Sequence, residues 1–218
     1  MITLENISKV YGKGKFLALN NINLTINEGD FLSITGHSGS GKSTLMNILG
    51  TLDRPTSGEI YIDKVNLKEI TKSKLSTFRN KKIGFVFQNY NLIDSLTVEK
   101  NIELVLIYAG IPKGERDYLV EKALQEVSLL KKKAAYPFEL SGGQRQRIGL
   151  ARAIVNSPKI ILADEPSGNL DPENSSKIME LLKKMNEQGQ TIVMVTHNFE
   201  TTKYGNRVIS IENGQVCS

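Results

Sequence analysis

The chain has 218 residues and a mass of 24.2 kDa. That size fits one large domain, or a core with one inserted subdomain, and excludes a string of independent modules. Apolar residues at 39% and charged residues at 23% exclude a disordered or fibrous chain. Lys and Arg exceed Asp and Glu by 28 − 23 = 5. The surplus is spread along the chain, and a block such as Lys131-Lys132-Lys133 reads as a solvated helix end, so no nucleic acid partner is expected.

The single cysteine, Cys217, has no partner for an intrachain bridge, which suits a reducing compartment. Met1–Glu5 lacks the basic flank and apolar stretch of a secretory leader. The longest apolar runs, such as Leu104–Ala109, fall far short of the roughly 18 residues a membrane helix needs. A cytoplasmic chain that meets a membrane only through a partner is expected.

In chain order, Ile2–Ile7, Leu17–Ile26 and Glu59–Ile62 alternate apolar and polar residues, as strands of a small, partly exposed antiparallel sheet do. The continuously apolar Phe31–Thr35 reads instead as a strand covered on both faces. It runs into Gly36-His37-Ser38-Gly39-Ser40-Gly41-Lys42-Ser43, the G-x-x-x-x-G-K-[ST] pattern, with the helix pattern Leu45, Ile48, Leu49 after it. Strand, glycine loop and helix together make a phosphate cradle. The glycines let backbone N–H groups converge on a triphosphate without Cβ clashes, and the helix start adds free donors and its positive dipole end. Lys42 supplies a mobile charge for the β- and γ-phosphates, and the Ser43 hydroxyl can ligate Mg²⁺. His37 lies where side chains vary freely and is given no role.

A second covered strand, Ile83–Phe87, ends at Gln88. Thr97 is placed to cap a helix with Val98, Ile102, Val105 and Ala109 on one face and Gly110 at its end. Residues 115–130 set Leu119, Ala123, Val127 and Leu130 on one stripe. Leu140-Ser141-Gly142-Gly143-Gln144 then opens a helix with Ile148, Ala151 and Val155 facing inward. Ser141 and Gln144 have capping-box spacing, yet two glycines in the first turn cost about 1 kcal/mol each. That cost makes sense where another molecule must approach the backbone, and a second phosphate-ready helix start results.

The strand Ile160–Ala163 ends in Asp164-Glu165, two carboxylates that are costly to bury without a cation or hydrogen bonds. Asp164 is expected to hold Mg²⁺ and Glu165 to polarise the attacking water, a role worth about 10²–10⁴-fold in rate. Asp171-Pro172 starts a helix that buries Ile178, Leu181, Leu182 and Met185 and stops at Gly189. Ile192–Thr196 leads to His197, which is placed to contact the γ-phosphate or to orient Glu165, and Val208–Ile211 is a last strand. The expected class is α/β: a P-loop NTPase core with a mostly parallel sheet, a small antiparallel β subdomain and an inserted α-helical subdomain. The core is assigned to residues 1–88 and 158–218, and the helical subdomain, which carries the second helix start, to 89–157.

Taken together these motifs resemble the ATP-binding subunit of an ABC transporter over essentially the whole chain, with Leu140–Gln144 as that family's signature motif. The resemblance implies ATP and Mg²⁺ as ligands, gathered by Gly36, Ser38, Gly39, Ser40, Gly41, Lys42, Ser43 and Thr44, with Ser43, Gln88 and Asp164 toward the metal. It implies head-to-tail pairing with a second copy, so that Ser141, Gly142, Gly143 and Gln144 serve the nucleotide of the other protomer. Tyr11 would stack on adenine, Gln88 would sense Mg²⁺ and water and begin the hinge to the helices, and Asp171 would end a loop that communicates between the two ATP sites. The apolar residues after Gln88 (Tyr90, Leu92, Ile93, Leu96) would either receive a helix from an integral membrane permease on the inner face of the cell membrane or pack in the core.

One stretch departs from the commonest pattern. Gly168-Asn169-Leu170-Asp171 stands where many members carry Ser-x-Leu-Asp, and with Gly84–Gln88 and Tyr90-Asn91-Leu92 it is similar to the macrolide-exporter, lipoprotein-release and antimicrobial-peptide-resistance branch. A transport motor for peptides, antibiotics or lipoproteins is the leading expectation. A regulatory ATPase that signals through a membrane partner shares every catalytic residue. A relative acting on ribosomes or DNA would need two cassettes or a long coiled-coil insertion.

Overall fold

The computed structural model describes residues 1–12 and 15–217. Strands β1 (Ile2–Tyr11) and β2 (Phe16–Ile26) lead to β3 (Phe31–Thr35), which feeds α1 (Lys42–Leu49). Next come β4 (Ser57–Ile62), a short β5 (Val65–Asn66), α2 (Lys72–Lys82) and β6 (Ile83–Val86). Three helices follow: α3 (Val98–Tyr108), α4 (Lys113–Glu126) and α5 (Gly142–Ile154). The remaining elements are β7 (Ile160–Asp164), α6 (Pro172–Glu187), β8 (Thr191–Val195), a short α7 (Phe199–Thr202), β9 (Arg207–Glu212) and β10 (Gln215–Cys217).

The strands form two sheets. One has the order β2-β1-β4-β5 and is antiparallel throughout; the other has the order β10-β9-β3-β8-β7-β6 and is parallel except for the β9–β10 hairpin. The continuously apolar strands explain how the layers stack. Successive side chains of a strand point to opposite faces, so Ile161 and Ala163 of β7 join the core under α3–α6, while Ile160 and Leu162 join the core around α1 and the antiparallel sheet. β8 divides the same way, with Ile192 and Met194 on the first side and Val193 and Val195 on the second. The six-stranded sheet is thus the shared wall of two cores.

The helix stripes needed adjustment. α3 buries Val98, Ile102 and Leu106, leaving Val105 and Ala109 half-buried, so its buried stripe drifts by about 40° per step round the helix away from the expected 98-102-105-109 face. In α4 the buried residues are Val120, Ala123 and Leu124, with Val127 just beyond, while Leu119 is half-buried and Leu130 is exposed. α2 was not expected at all. It has no fully buried side chain and so no apolar period to reveal it; Arg79, Lys81 and Lys82 in its last turn suit the negative end of the helix dipole.

Candidate active site

Four neighbouring parallel strands, β3, β8, β7 and β6, end at one edge of the large sheet. In an open parallel sheet this edge is where ligands bind. Here it carries, in order, the glycine loop after β3, Thr196-His197 after β8, Asp164-Glu165 at the end of β7 and Gln88 shortly after β6.

The glycine loop is shaped by its surroundings. Gly41 adopts φ 110°, and a Cβ there would lie 2.6 Å from the carbonyl oxygen of Ala18 in β2. α1 therefore starts on a left-handed glycine with no side-chain cap and no acidic residue in its first turn, which leaves its N–H donors for an anion. The Lys42 ammonium donates to the carbonyls of Gly36 and His37, both at 2.8 Å, so the loop curls around a positive charge. Ser38, Gly39 and Ser43 are exposed and Thr44 is half-buried. The buried Ser40 hydroxyl has no hydrogen-bond partner among the described residues, and together with the free helix donors it fits an anion better than an apolar ligand.

The two carboxylates behave differently. Burial first, and the negative charge of Glu165 second, push Asp164 above the usual carboxylate range, while Lys42 pulls it back. A cation beside Asp164 would relieve both causes, which fits the expected metal. Among the described residues no group of three or more His, Cys, Asp or Glu side chains could hold a metal alone. Glu165 sits in the left-handed region at φ 47°, an uncommon conformation for a non-glycine residue that turns the chain sharply after β7. Its Oε1 accepts the backbone N–H of His197 at 2.9 Å and lies 2.8 Å from the His197 ring Nδ1. The His197 side chain is 68% exposed and that of Glu165 14%. His197 therefore anchors the carboxylate and keeps its outer edge toward solvent.

Gln88 is half-buried and pairs with Asn169 of the loop after Glu165. Of the residues after Gln88, Asn91 lines an open cleft, whereas Tyr90, Leu92, Ile93 and Leu96, expected to form a groove, are not among its walls. Tyr90 and Asn91 take left-handed conformations (φ 61° and 50°), and this turn directs Leu92 into the core under α3–α6. The open cleft beside them, of about 640 Å³, is lined instead by α2, β6, α3 and α5, with Thr77, Asn80, Phe85, Phe87, Val105 and Arg152 among its walls. Arg152 donates to the carbonyls of Tyr90 (2.8 Å) and Asn91 (2.5 Å), tying this turn to α5. Tyr11 has local partners: its hydroxyl donates to Asp53 at 2.9 Å, and the Lys9 ammonium lies 4.9 Å from its ring centroid. Burial alone would raise Asp53, yet hydrogen bonds from Lys9, Tyr11 and the Arg54 N–H hold its carboxyl below the ordinary range.

The second helix start is built as a capping box. Ser141 Oγ accepts the Gln144 N–H at 3.3 Å, and Gln144 Oε1 accepts the Ser141 N–H at 3.0 Å. Gly143 also has a reason inside the chain, because a Cβ there would collide with the Asn174 side chain of α6. Asn174 is in turn held by Asp171, whose carboxylate accepts from both the side-chain and backbone nitrogens of Asn174 (2.7 and 3.0 Å) and is kept below its ordinary pKa by them. No hydrogen bond among the described residues joins Ser141–Gln144 to the loop at 36–43.

Sequence reasoning missed Gln146. It is 1% exposed, and its Nε2 donates to the carbonyls of Phe87 (3.2 Å) and Pro166 (2.7 Å), bridging the loops after β6 and β7. The available signal was a polar residue on the same helical face as Gly149, Leu150 and Ala153.

An uncapped glycine helix start with a buried lysine, beside a strand ending in paired carboxylates, defines a P-loop nucleoside triphosphatase. Comparisons with known proteins narrow this class. A sequence model described as "ABC transporter" matches residues 19–168. The ABC transporter ATP-binding protein YknY of Bacillus subtilis is 48% identical over 218 residues, covering 99% of this chain and 95% of that one. The macrolide export ATP-binding/permease protein MacB of Aggregatibacter actinomycetemcomitans is 44% identical across all of this chain, which spans 34% of MacB. The dimeric post-hydrolysis structure of the cassette MJ0796 (from Methanocaldococcus jannaschii) with ADP and Pi superposes with a TM-score of 0.90 at 45% identity, over 100% of this chain and 97% of that one. The chain belongs to the ABC transporter family and is its ATP-binding, ATP-hydrolysing domain.

Proposed function

We propose that this chain is the motor subunit of an ABC transporter: two copies close head to tail over two ATP molecules, and closure drives a separate permease. The observation that carries the chemistry is Glu165, whose Oε1 is fixed by two His197 nitrogens one residue after the metal-ready Asp164. Glu165 polarises the attacking water, and His197 holds the carboxylate in line. Lys42 and the donors of the 36–43 loop gather the β- and γ-phosphates. Ser43, Asp164 and Gln88 would hold Mg²⁺, which neutralises phosphate charge when bound. These three groups would leave the rest of the metal's shell to phosphate and water, as Mg²⁺ favours.

The partner protomer's signature start, Ser141 to Gln144, covers the γ-phosphate, and Tyr11 stacks on adenine. The dimeric MJ0796 structure supports the pairing, and the fusion of MacB's ATP-binding part to a permease supports the membrane partner. Among the described residues no helix is long and apolar enough to cross a membrane; the permease would hold this chain at the inner face. Residues 89–157 rotate as a unit on the core at 1–88 and 158–218, with the cleft between α2, β6, α3 and α5 as the docking place of the permease. Within the expected range of peptides, antibiotics or lipoproteins, the similarity to the macrolide export protein MacB favours export of antibiotics.

The test is Glu165→Gln. ATP affinity should stay within about twofold while kcat falls about 10²–10⁴-fold, and ATP should trap a dimer visible by light scattering. A variant that turns over ATP at the wild-type rate would remove the water-activating role from Glu165.

A further inference from the structure

The departure Gly168-Asn169 has a partner in the fold. Asn169 Nδ2 donates to the backbone carbonyl of Gln88 (3.2 Å) and to Asn89 Oδ1 (3.0 Å), and Asn169 Oδ1 accepts from Gln88 Nε2 at 3.3 Å. Three hydrogen bonds therefore run between one side chain and the Gln88 loop. The preceding glycine makes room for them: a Cβ at Gly168 would lie 2.9 Å from Gln88 Nε2 and 3.4 Å from Glu165 Cβ. Gly168 N also donates to the Glu165 carbonyl at 3.0 Å, so the same short turn carries Glu165 at one end and the Gln88 contact at the other. Beneath it, buried Gln146 bonds to Phe87 and Pro166, one residue from Gln88 and one from Glu165. Two amides, one buried and one exposed, hold these loops together.

The geometry points to Asn169 as a positioning residue: it grips Gln88 so that the metal-facing glutamine and the water-activating Glu165 move as one unit. This rests on the reading of Gln88 as a residue that faces metal and water. The buried Gln146 sets the hinge, and the exposed Asn169 sets where the Gln88 side chain points. A serine at 168 would crowd Gln88 Nε2, and an alanine at 169 would have nothing to grip it with, so the Gly-Asn pair works as a unit.

The test uses the full chain with Asn169→Ala and Asn169→Asp, alone and combined with Gln88→Ala. Asn169 is exposed, so the variants should fold with little change in Tm. Asn169→Ala should lower kcat about tenfold, as expected for loss of two or three amide hydrogen bonds, and raise the Mg²⁺ concentration for half-maximal rate, with ATP affinity unchanged. Asn169→Asp keeps the acceptor for Gln88 Nε2 and should fall between alanine and wild type. In the Gln88→Ala background, Asn169→Ala should have no further effect on kcat. In the nucleotide-free protein, the Gln88 side-chain amide resonance should shift and exchange faster in Asn169→Ala. An unmoved resonance, or a kcat loss of Asn169→Ala that persists undiminished beside Gln88→Ala, would overturn the positioning role while leaving the reading of Gln88 intact. A Gln88→Ala variant with wild-type kcat and Mg²⁺ dependence would overturn both.

Discussion

Two helix starts in this molecule are rich in glycine, free of acidic residues in the first turn and assigned to phosphate, yet they are built in opposite ways. α1 begins on a left-handed Gly41 with no side-chain cap and a lysine folded onto loop carbonyls, so its donors are left for an anion. α5 begins with Ser141 and Gln144 capping each other, and its Gly143 is fitted against Asn174. One start is left for a ligand to complete; the other is finished by its own chain. In a dimer that closes over ATP, the first should control nucleotide affinity and the second should control closure and turnover.

Lys42→Ala should break this contrast most strongly. On the proposed reading it removes charge-assisted bonds to two phosphates, so ATP affinity measured by calorimetry should fall about a hundredfold or more, whereas Ser141→Ala should leave the affinity of a single protomer unchanged. Gly143→Ala sharpens the contrast by separating two reasons for one glycine. Alone it should lower Tm through the collision with Asn174; paired with Asn174→Ala it should regain most of that stability. If the partner's phosphate also needs close approach to Gly143, the double variant will still hydrolyse ATP slowly. Recovery of both Tm and turnover would show that the glycine serves the chain alone.

Asp164 offers a pH-dependent version of the same comparison. Burial and Glu165 raise its pKa above the ordinary 3.8, so its charged form costs stability at neutral pH, and the cost disappears as pH falls and the carboxyl protonates. Asp164→Asn should therefore raise the Tm of the nucleotide-free protein at pH 7 to 8, with the gain vanishing toward pH 4, while Mg²⁺-dependent hydrolysis is lost. A gain that grows on acidification would contradict this sign. The smallest effect belongs to Ser141→Ala in thermal melts, where losing a helix cap costs about 0.5–2 kcal/mol, or roughly 2–4 °C in Tm per kcal/mol for a chain of this size.

Much of this site was legible before any coordinates. The apolar strands and the residues after them are local features, and parallel pairing is expected once each strand is covered on both faces, whereas the order β3, β8, β7, β6 joins strands far apart in the chain and is visible only in the structure. What sequence could not supply was contact between distant loops. Gln146 lies 59 residues from Phe87 and 20 from Pro166, and Asn169 lies 81 from Gln88, so their hydrogen bonds leave no periodic trace. The glycines of α5 were legible as costly, but the neighbour that requires Gly143 came from another helix. α2 escaped because two half-buried apolar residues, Leu75 and Phe78, among polar neighbours are too few to mark an apolar stripe.

The central claim is that one copy holds only half of a working ATP site, and specific ATPase activity measured against protein concentration tests it most directly. Activity per chain should rise from near zero at high dilution and level off as copies pair, with the midpoint shifted to lower concentration by Glu165→Gln added as a silent partner that captures wild-type chains. Equal activity per chain from the most dilute to the most concentrated sample, with light scattering showing monomers throughout, would contradict the account.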